Sequence, residues 1–231
     1  MCGRIGQFSA WQSYVEALEA FRSANAVIDD HPPRFNAGPG TRIGVAYPQG
    51  EMRPVWWGYR PHWAVTRKVS QMINARADKI ETATWKPMLK NGRVIVTVDC
   101  WYEWIKAEDG KKQPYLLRPK DQKPLFLAGL TNVKVEADSG MRSPEASALV
   151  DGVVIVTDAS DQGMVDIHDR RPVALNEQDA NTWLDSQTPL ELAAEIARHG
   201  SRAVNEFEWY EVSRELNNVR HDRPELVKPN V

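Results

Sequence analysis

Residue 2 of this 231-residue chain is a cysteine, in the opening run Met1-Cys2-Gly3-Arg4. Methionine ahead of a small residue is a usual substrate for N-terminal trimming, which would leave Cys2 with a free α-amine beside its thiol. Such a 1,2-aminothiol condenses with an aldehyde to an imine, and its sulfur then closes a five-membered thiazolidine on the same carbon. Closure is intramolecular and gains the effective concentration of a tethered reaction. An α-amine of pKa about 8 and a thiol of about 8.5 both suit neutral pH. From position alone, an ordinary second residue is the better reading.

Three further runs carry chemistry. In Val98-Asp99-Cys100-Trp101-Tyr102-Glu103-Trp104 a carboxylate stands among three aromatic rings. Such surroundings disfavour its charged form and raise it toward the range useful for general acid–base work. In Asp166-Ile167-His168-Asp169-Arg170-Arg171-Pro172, His168 can shuttle protons near pH 7 while an adjacent arginine holds a phosphate. In Ile73-Asn74-Ala75-Arg76, Asn74 can orient an amine and Arg76 can bind phosphate. Taken singly, a strand-end glutamate, a lone histidine and an Asn-Ala-Arg triplet all have ordinary structural uses. Their company gives them weight.

Charge is spread unevenly around these runs. The chain holds 29 Lys and Arg against 31 Asp and Glu, yet Arg53 to Arg93 contains nine basic residues and only Asp78 and Glu81 as acids. That segment carries +7 and the remainder −9. Local fields steer an anionic partner more than totals do. Trp56, Trp57, Tyr59, Trp63 and Trp85 interleave the stripe. Cations that follow phosphates, mixed with rings on which bases stack, are what single-stranded nucleic-acid binding needs. Strand neighbours face opposite ways, so one of Trp56 and Trp57 belongs in the core.

The elements that must position these residues are short. Ser9-Ala10-Trp11-Gln12 fits a capping box, and Trp11, Val15, Leu18 and Phe21 recur at helical spacing, predicting a helix over 10–24. His31 to Gly40 reads as an ordered turn region. Strands are expected at Ile43–Tyr47, Val55–Tyr59, Val94–Trp101, Tyr115–Arg118, Leu125–Leu130 and Val153–Thr157. A short helix is expected at Thr82–Lys90, a surface excursion at 134–151, and two helices at 176–184 and 190–199. This pattern implies one α+β domain over residues 1–231, with a curved, mostly antiparallel, barrel-like sheet flanked by helices.

Composition narrows the class. Hydrophobic residues make 42% and charged residues 26%, ordinary globular usage. No apolar run reaches the ~20 residues that cross a bilayer. Two cysteines cannot build a disulfide framework, and no CxxC pair or HExxH suggests zinc. The expectation is a cytoplasmic protein with no metal, no cofactor and no membrane partner, a monomer by default.

Together the motifs resemble the SRAP family, the SOS response-associated peptidases or abasic-site processing proteins. The matching stretches are Met1-Cys2-Gly3-Arg4, Phe35-Asn36 through Pro39-Gly40, Trp57-Gly58 with Pro61 and Trp63, and Asn74-Ala75-Arg76. Trp101-Tyr102-Glu103-Trp104, Gln113-Pro114, Thr157, His168 through Pro172, Val212-Ser213 and Asn217-Asn218-Val219 follow in the same order. The resemblance implies the SRAP fold and a domain that senses abasic sites in single-stranded DNA during the DNA damage response. It also implies a covalent crosslink through Cys2. By position, Cys2 would be the nucleophile, Asn74 would hold its amine, Glu103 would assist sugar ring opening and imine formation, and His168 would help proton transfer. Arg4, Asn36, Arg76 and Arg170 would contact phosphates and backbone, with Pro39 and Trp104 lining a kinked strand. Lyase and self-processing peptidase activities are attributed to the family, and binding to DNA would associate the protein with the nucleoid.

The chain departs from the family pattern at Gly38 in Asn36-Ala37-Gly38-Pro39, at Asp78 where Glu is usual, and at Cys100 where glycine is common. Two rival readings use the same residues. An N-terminal-nucleophile amidohydrolase would use the Cys2 thiol with its own amine as base. A non-catalytic nucleic-acid reader would need only the stripe and the tryptophans.

Overall fold

The computed structural model describes residues 2–22, 26–29, 31–135, 151–160 and 162–230. In chain order its strands are β1 (Ile5–Gln7), β2 (Val27–Ile28), β3 (Arg34–Ala37), β4 (Arg42–Tyr47), β5 (Glu51–Trp56), β6 (Asn74–Arg76) and β7 (Arg93–Val98). There follow β8 (Cys100–Lys106), β9 (Lys112–Pro119), β10 (Leu125–Thr131), β11 (Val153–Ala159), β12 (Arg170–Pro172), β13 (Ala174–Leu175) and β14 (Phe207–Glu211). The helices are α1 (Trp11–Val15), α2 (His62–Thr66), α3 (Lys86–Asn91), α4 (Glu177–Leu184) and α5 (Leu190–His199). None of the described helices is long and apolar enough to cross a membrane.

Two sheets form. One runs β14-β9-β8-β1-β3; the other runs β12-β11-β10-β7-β4-β5-β2, with β13 paired to β10 and β6 to β11. Among the described strands, pairing is antiparallel except for β2 with β5 and β6 with β11. The fold is α+β as expected, but the sheets stay open, so the core is layered rather than barrel-like.

Alternation along the strands builds the layers. Val94, Val96 and Val98 of β7, Leu125 and Leu127 of β10, and Val153 and Ile155 of β11 enter a middle core, where they meet Ile5, Trp101, Leu117 and Phe207 of the smaller sheet. The intervening Ile95, Phe126, Ala128, Leu130, Val154 and Val156 face a second core under the helices. Cys100, Tyr102 and Leu116 face a third, covered by Val212, Leu216 and Leu226 of the C-terminal segment. Period-two side chains on strands buried from both faces give this result. A one-residue slip would exchange the layers.

Several local expectations are corrected. Val94–Trp101 is two strands in different sheets, because Asp99 turns the corner. Its carboxylate accepts the backbone N–H groups of Phe8 (2.6 Å) and Ser9 (3.0 Å), the Ser9 hydroxyl and the Tyr14 hydroxyl. Ser9 is therefore committed to Asp99 and caps nothing. The helix starts after Ala10, spans only Trp11–Val15, and resumes as a single 3₁₀ turn at Glu19–Phe21. The strand placed at Val55–Tyr59 is Glu51–Trp56, since its pairing with β4 ends there and Gly58, at φ +136°, turns the chain. The helix placed at Thr82–Lys90 is Lys86–Asn91. Its Pro87 lies in the first turn, where a missing N–H costs no helical bond. Most of the excursion expected at 134–151 lies outside the described residues.

Candidate functional site

Strand register brings the chain start to Glu103. Ile5 lies opposite Trp101 and Gly6 opposite Cys100, and the Tyr102 N–H donates to the Arg4 carbonyl at 3.0 Å. Pairing runs as far as Arg4 and Tyr102, which brings the chain start alongside β8 next to Glu103. Cys2 is fully buried in the middle core with Trp57, Trp101 and Ile155. Glu103 follows Trp101 by two residues, so it shares that face, and it is 3% exposed. Burial pushes its carboxyl up to about 7. A group titrating there is divided between acid and base at neutral pH and can give or take a proton.

The Cys2 thiol departs from its expected behaviour. Burial, reinforced by the Glu103 carboxylate, holds it well above an ordinary thiol. At pH 7 the sulfur is therefore an S–H, and it needs a base to react.

A second group of residues gathers around β11. Asn74 pairs in register with Ile155 and Arg76 with Thr157 on one side of it; Pro172 pairs with Thr157 and Arg170 with Ala159 on the other. The Asn74 amide donates weakly to the Ile155 carbonyl (3.5 Å), and its buried Oδ1 has no hydrogen-bond partner among the described residues. That orphan acceptor is ready for an N–H. Arg170 Nη2 donates to the Thr157 carbonyl at 2.6 Å. Arg76 Nε and Nη2 are held by Asp78.

His168 precedes β12 and is half-buried. Burial holds its imidazole below the ordinary value, so the ring is neutral at pH 7. Nδ1 lies 3.0 Å from the Arg170 N–H and 2.7 Å from Asp169 Oδ1. It cannot serve both at once: the neutral ring accepts from Arg170 and carries its proton on Nε2, and the Asp169 pair needs a proton on Nδ1.

The two groups share the middle core, where Ile73 and Ile167, the neighbours of Asn74 and His168, pack with Cys2 and Trp101. Asp169 links them electrostatically, since its charge reaches both Glu103 and Arg76.

The residues expected along a DNA strand are placed unequally. Pro39 is exposed. Arg4 lies over the half-buried Trp104 ring, 5.4 Å from its centroid, and donates to Asn36 Oδ1 (2.5 Å) and the Leu216 carbonyl (3.0 Å). Asn36 is 1% exposed, and its amide donates to the carbonyls of Leu216, Asn218 and His221. It stitches the C-terminal segment to β3 and does not face outward. Gly38 fits the same packing, because a Cβ there would lie 3.3 Å from Arg4 Nε.

The basic stripe is not one patch. Arg93 is buried and donates to the carbonyls of Leu89, Trp183 and Asp185 at 2.6–2.8 Å. Arg53 is buried against Glu51 and the Val135 carbonyl. Trp57 is the buried member of its pair, donating to the Ile73 carbonyl at 3.0 Å, while Trp56 is half-buried under Arg42. Trp85 is core as well, and Trp63 is exposed with Arg67 over its ring.

Cys100 is a packed core residue in a different layer from Cys2. Its sulfur occupies the space a Cβ on Gly6 would need, 2.6 Å away. Both cysteines are free thiols. Sequence reasoning missed Asn217, which accepts the Trp104 indole N–H at 2.6 Å, and Asp222, which accepts the backbone N–H groups of Phe35 and Asn36. Asn217 lay inside a recognised motif; nothing about Asp222 marked it.

Comparison with known proteins places the chain. The sequence pattern of the family described as SOS response associated peptidase (SRAP) matches residues 1–219. The chain is 36% identical to the abasic site processing protein YedK of Escherichia coli strain K12, covering 99% of this chain and 100% of that one. It is 28% identical to the abasic site processing protein HMCES of Rattus norvegicus over 76% of this chain and 56% of that protein. Among solved structures, a phage-related protein of Bordetella bronchiseptica superposes with a TM-score of 0.75 at 37% identity, covering 92% of this chain and 95% of that one. This chain belongs to the SRAP family.

Proposed function

We propose that this protein processes abasic sites in single-stranded DNA by joining them covalently through Cys2 once Met1 is removed. The observation that carries the reading is the placement of the buried Glu103 carboxyl near the buried Cys2 thiol, with burial pushing that carboxyl up to about 7. The names of the relatives support it, and so does the match to the SRAP family over residues 1–219.

An abasic sugar is mostly a closed hemiacetal, and opening it needs a proton taken from the C1′ hydroxyl and one given to the ring oxygen. Glu103 suits both transfers. The Cys2 amine, held by Asn74 Oδ1, then adds to the aldehyde carbon, and water leaves as the imine forms. Addition of sulfur to that carbon closes the thiazolidine, with the thiol proton passing through Glu103 or His168 to the ring nitrogen. The net change is aldehyde plus aminothiol giving thiazolidine plus water. The thiazolidine resists the β-elimination that an imine invites, so the lesion is shielded. Lyase cleavage is the outcome when the imine persists, and self-removal of residue 1 is the peptidase step. Arg4, Arg76 and Arg170 hold phosphates, while Trp104 and Pro39 line the strand.

The test is a denaturing gel of the protein with a single-stranded oligonucleotide carrying one abasic site, beside intact DNA and Cys2→Ala. A shifted band that survives heat and detergent, and requires both the lesion and Cys2, is expected. Its absence in protein shown by mass spectrometry to lack Met1 would overturn the covalent mechanism.

A further inference from the structure

Arg76 and Asp78 form a two-pronged pair beside the residues gathered on β11. Arg76 Nε lies 2.9 Å from Asp78 Oδ1, and Nη2 lies 2.7 Å from Oδ2. The side chains are 57% and 47% exposed, and an ion pair so exposed contributes little to folding. Its geometry has a more local use. A guanidinium carries five N–H donors in a rigid fork. Asp78 takes Nε–H and one N–H of Nη2, and no other hydrogen bond of the Arg76 side chain forms among the described residues. Both protons of Nη1 and one of Nη2 remain. That end-on edge matches two oxygens of a phosphate.

The base of the pair is firmly held. Arg76 pairs with Thr157 in the sheet, Ala75 and Ala77 on either side of it are fully buried, and Asp78 stands in the 3₁₀ turn Ala77–Lys79. Arg170 is tethered alike, with Nη2 on the Thr157 carbonyl. Thr157 thus has a tethered guanidinium on each flank.

We propose that Asp78 is a positioning residue that fixes the inner edge of Arg76 so that its outer edge meets a phosphodiester of single-stranded DNA. The inference rests on reading this edge as the DNA-binding one. Simple charge arithmetic predicts the opposite role, because removing a carboxylate near DNA should tighten binding. Positioning predicts weaker binding, since a freed arginine must give up its rotamer freedom when it binds. The two accounts differ in sign.

The experiment measures fluorescence anisotropy of an undamaged single-stranded oligonucleotide over a salt series, so that no covalent step enters. The proteins are wild type, R76A, D78N, D78E and the R76A/D78N double variant, each checked for native circular dichroism. D78N is expected to bind roughly three- to tenfold more weakly, with a salt slope shallower by about one phosphate contact. D78E, which keeps a carboxylate within reach, is expected to recover most of that loss, and D78N is expected to add no further weakening on top of R76A. Unchanged or tighter binding by D78N, while R76A weakens it, overturns the positioning role and leaves the DNA-binding edge standing. Unchanged binding by R76A removes that edge and the proposal with it.

Discussion

The indole Nε1–H of Trp104 donates to Asn217 Oδ1 at 2.6 Å, and this bond ties the end of β8 to the C-terminal segment. The same segment supplies the Leu216 carbonyl that holds Arg4 over the Trp104 ring. Asn217→Ala is expected to cost about 1 kcal/mol of stability and to lower affinity for single-stranded DNA. Urea unfolding and anisotropy check the two effects. No change in either would leave the hydrogen bond without consequence.

Asn36→Leu is expected to be far more severe. Its amide serves three carbonyls and its Oδ1 accepts from Arg4, all at a position 1% exposed. A leucine strands those groups in the interior, at a cost of roughly 3 kcal/mol. Denaturant unfolding measures it, and a loss under about 1 kcal/mol would mean that the segment reorganises around the change.

Glu103 carries a stability cost with a definite pH signature. Its folded-state carboxyl titrates at about 7, against an ordinary value of 4.5. Between those values the folded chain binds more protons than the unfolded one, so stability falls as pH rises through the window and levels off above it. Glu103→Gln removes this dependence and is expected to be roughly 3 kcal/mol more stable relative to wild type at pH 8 than at pH 4. It is also expected to slow crosslinking. Parallel pH–stability curves for the two proteins would assign the titration elsewhere.

Cys100→Ala is expected to form the same heat-stable DNA adduct as wild type. Its sulfur fills a space beside Gly6 in a layer that excludes Cys2. Losing it leaves a small cavity worth about 1 kcal/mol. A missing adduct in a folded variant would give Cys100 a part in the chemistry.

Much of the arrangement was legible in the sequence because it follows from period and register. The runs Leu125–Leu130 and Val153–Thr157 became strands of the larger sheet, and the Trp56–Trp57 pair split between surface and core as alternation requires. The apolar run around Glu103 pointed to its raised carboxyl, but the cause is burial in the middle core, and of the three neighbouring rings only Trp101 shares its face. What was hidden depends on which sheet a strand joins. Nothing local in Val94–Trp101 says that Asp99 gathers Phe8, Ser9 and Tyr14 and bends the chain into a second sheet. Linear charge also misled, since Arg53 and Arg93 serve buried carbonyls. An arginine with carbonyl partners leaves no local mark that separates it from one facing solvent.

The division of the site between two sheets bears on when the protein becomes reactive. Cys2 and Glu103 belong to the smaller sheet's side and Asn74, His168 and Arg170 to the larger's. During synthesis the thiol emerges first, yet its strand β1 is completed only by β8, about a hundred residues later. The nascent chain therefore presents Cys2 before Glu103, Asn74, Arg76 and Arg170 have been placed. On the covalent reading proposed above, chemistry at Cys2 waits for the docking of two separately paired sheets, which makes assembly of the middle core the step that arms the protein.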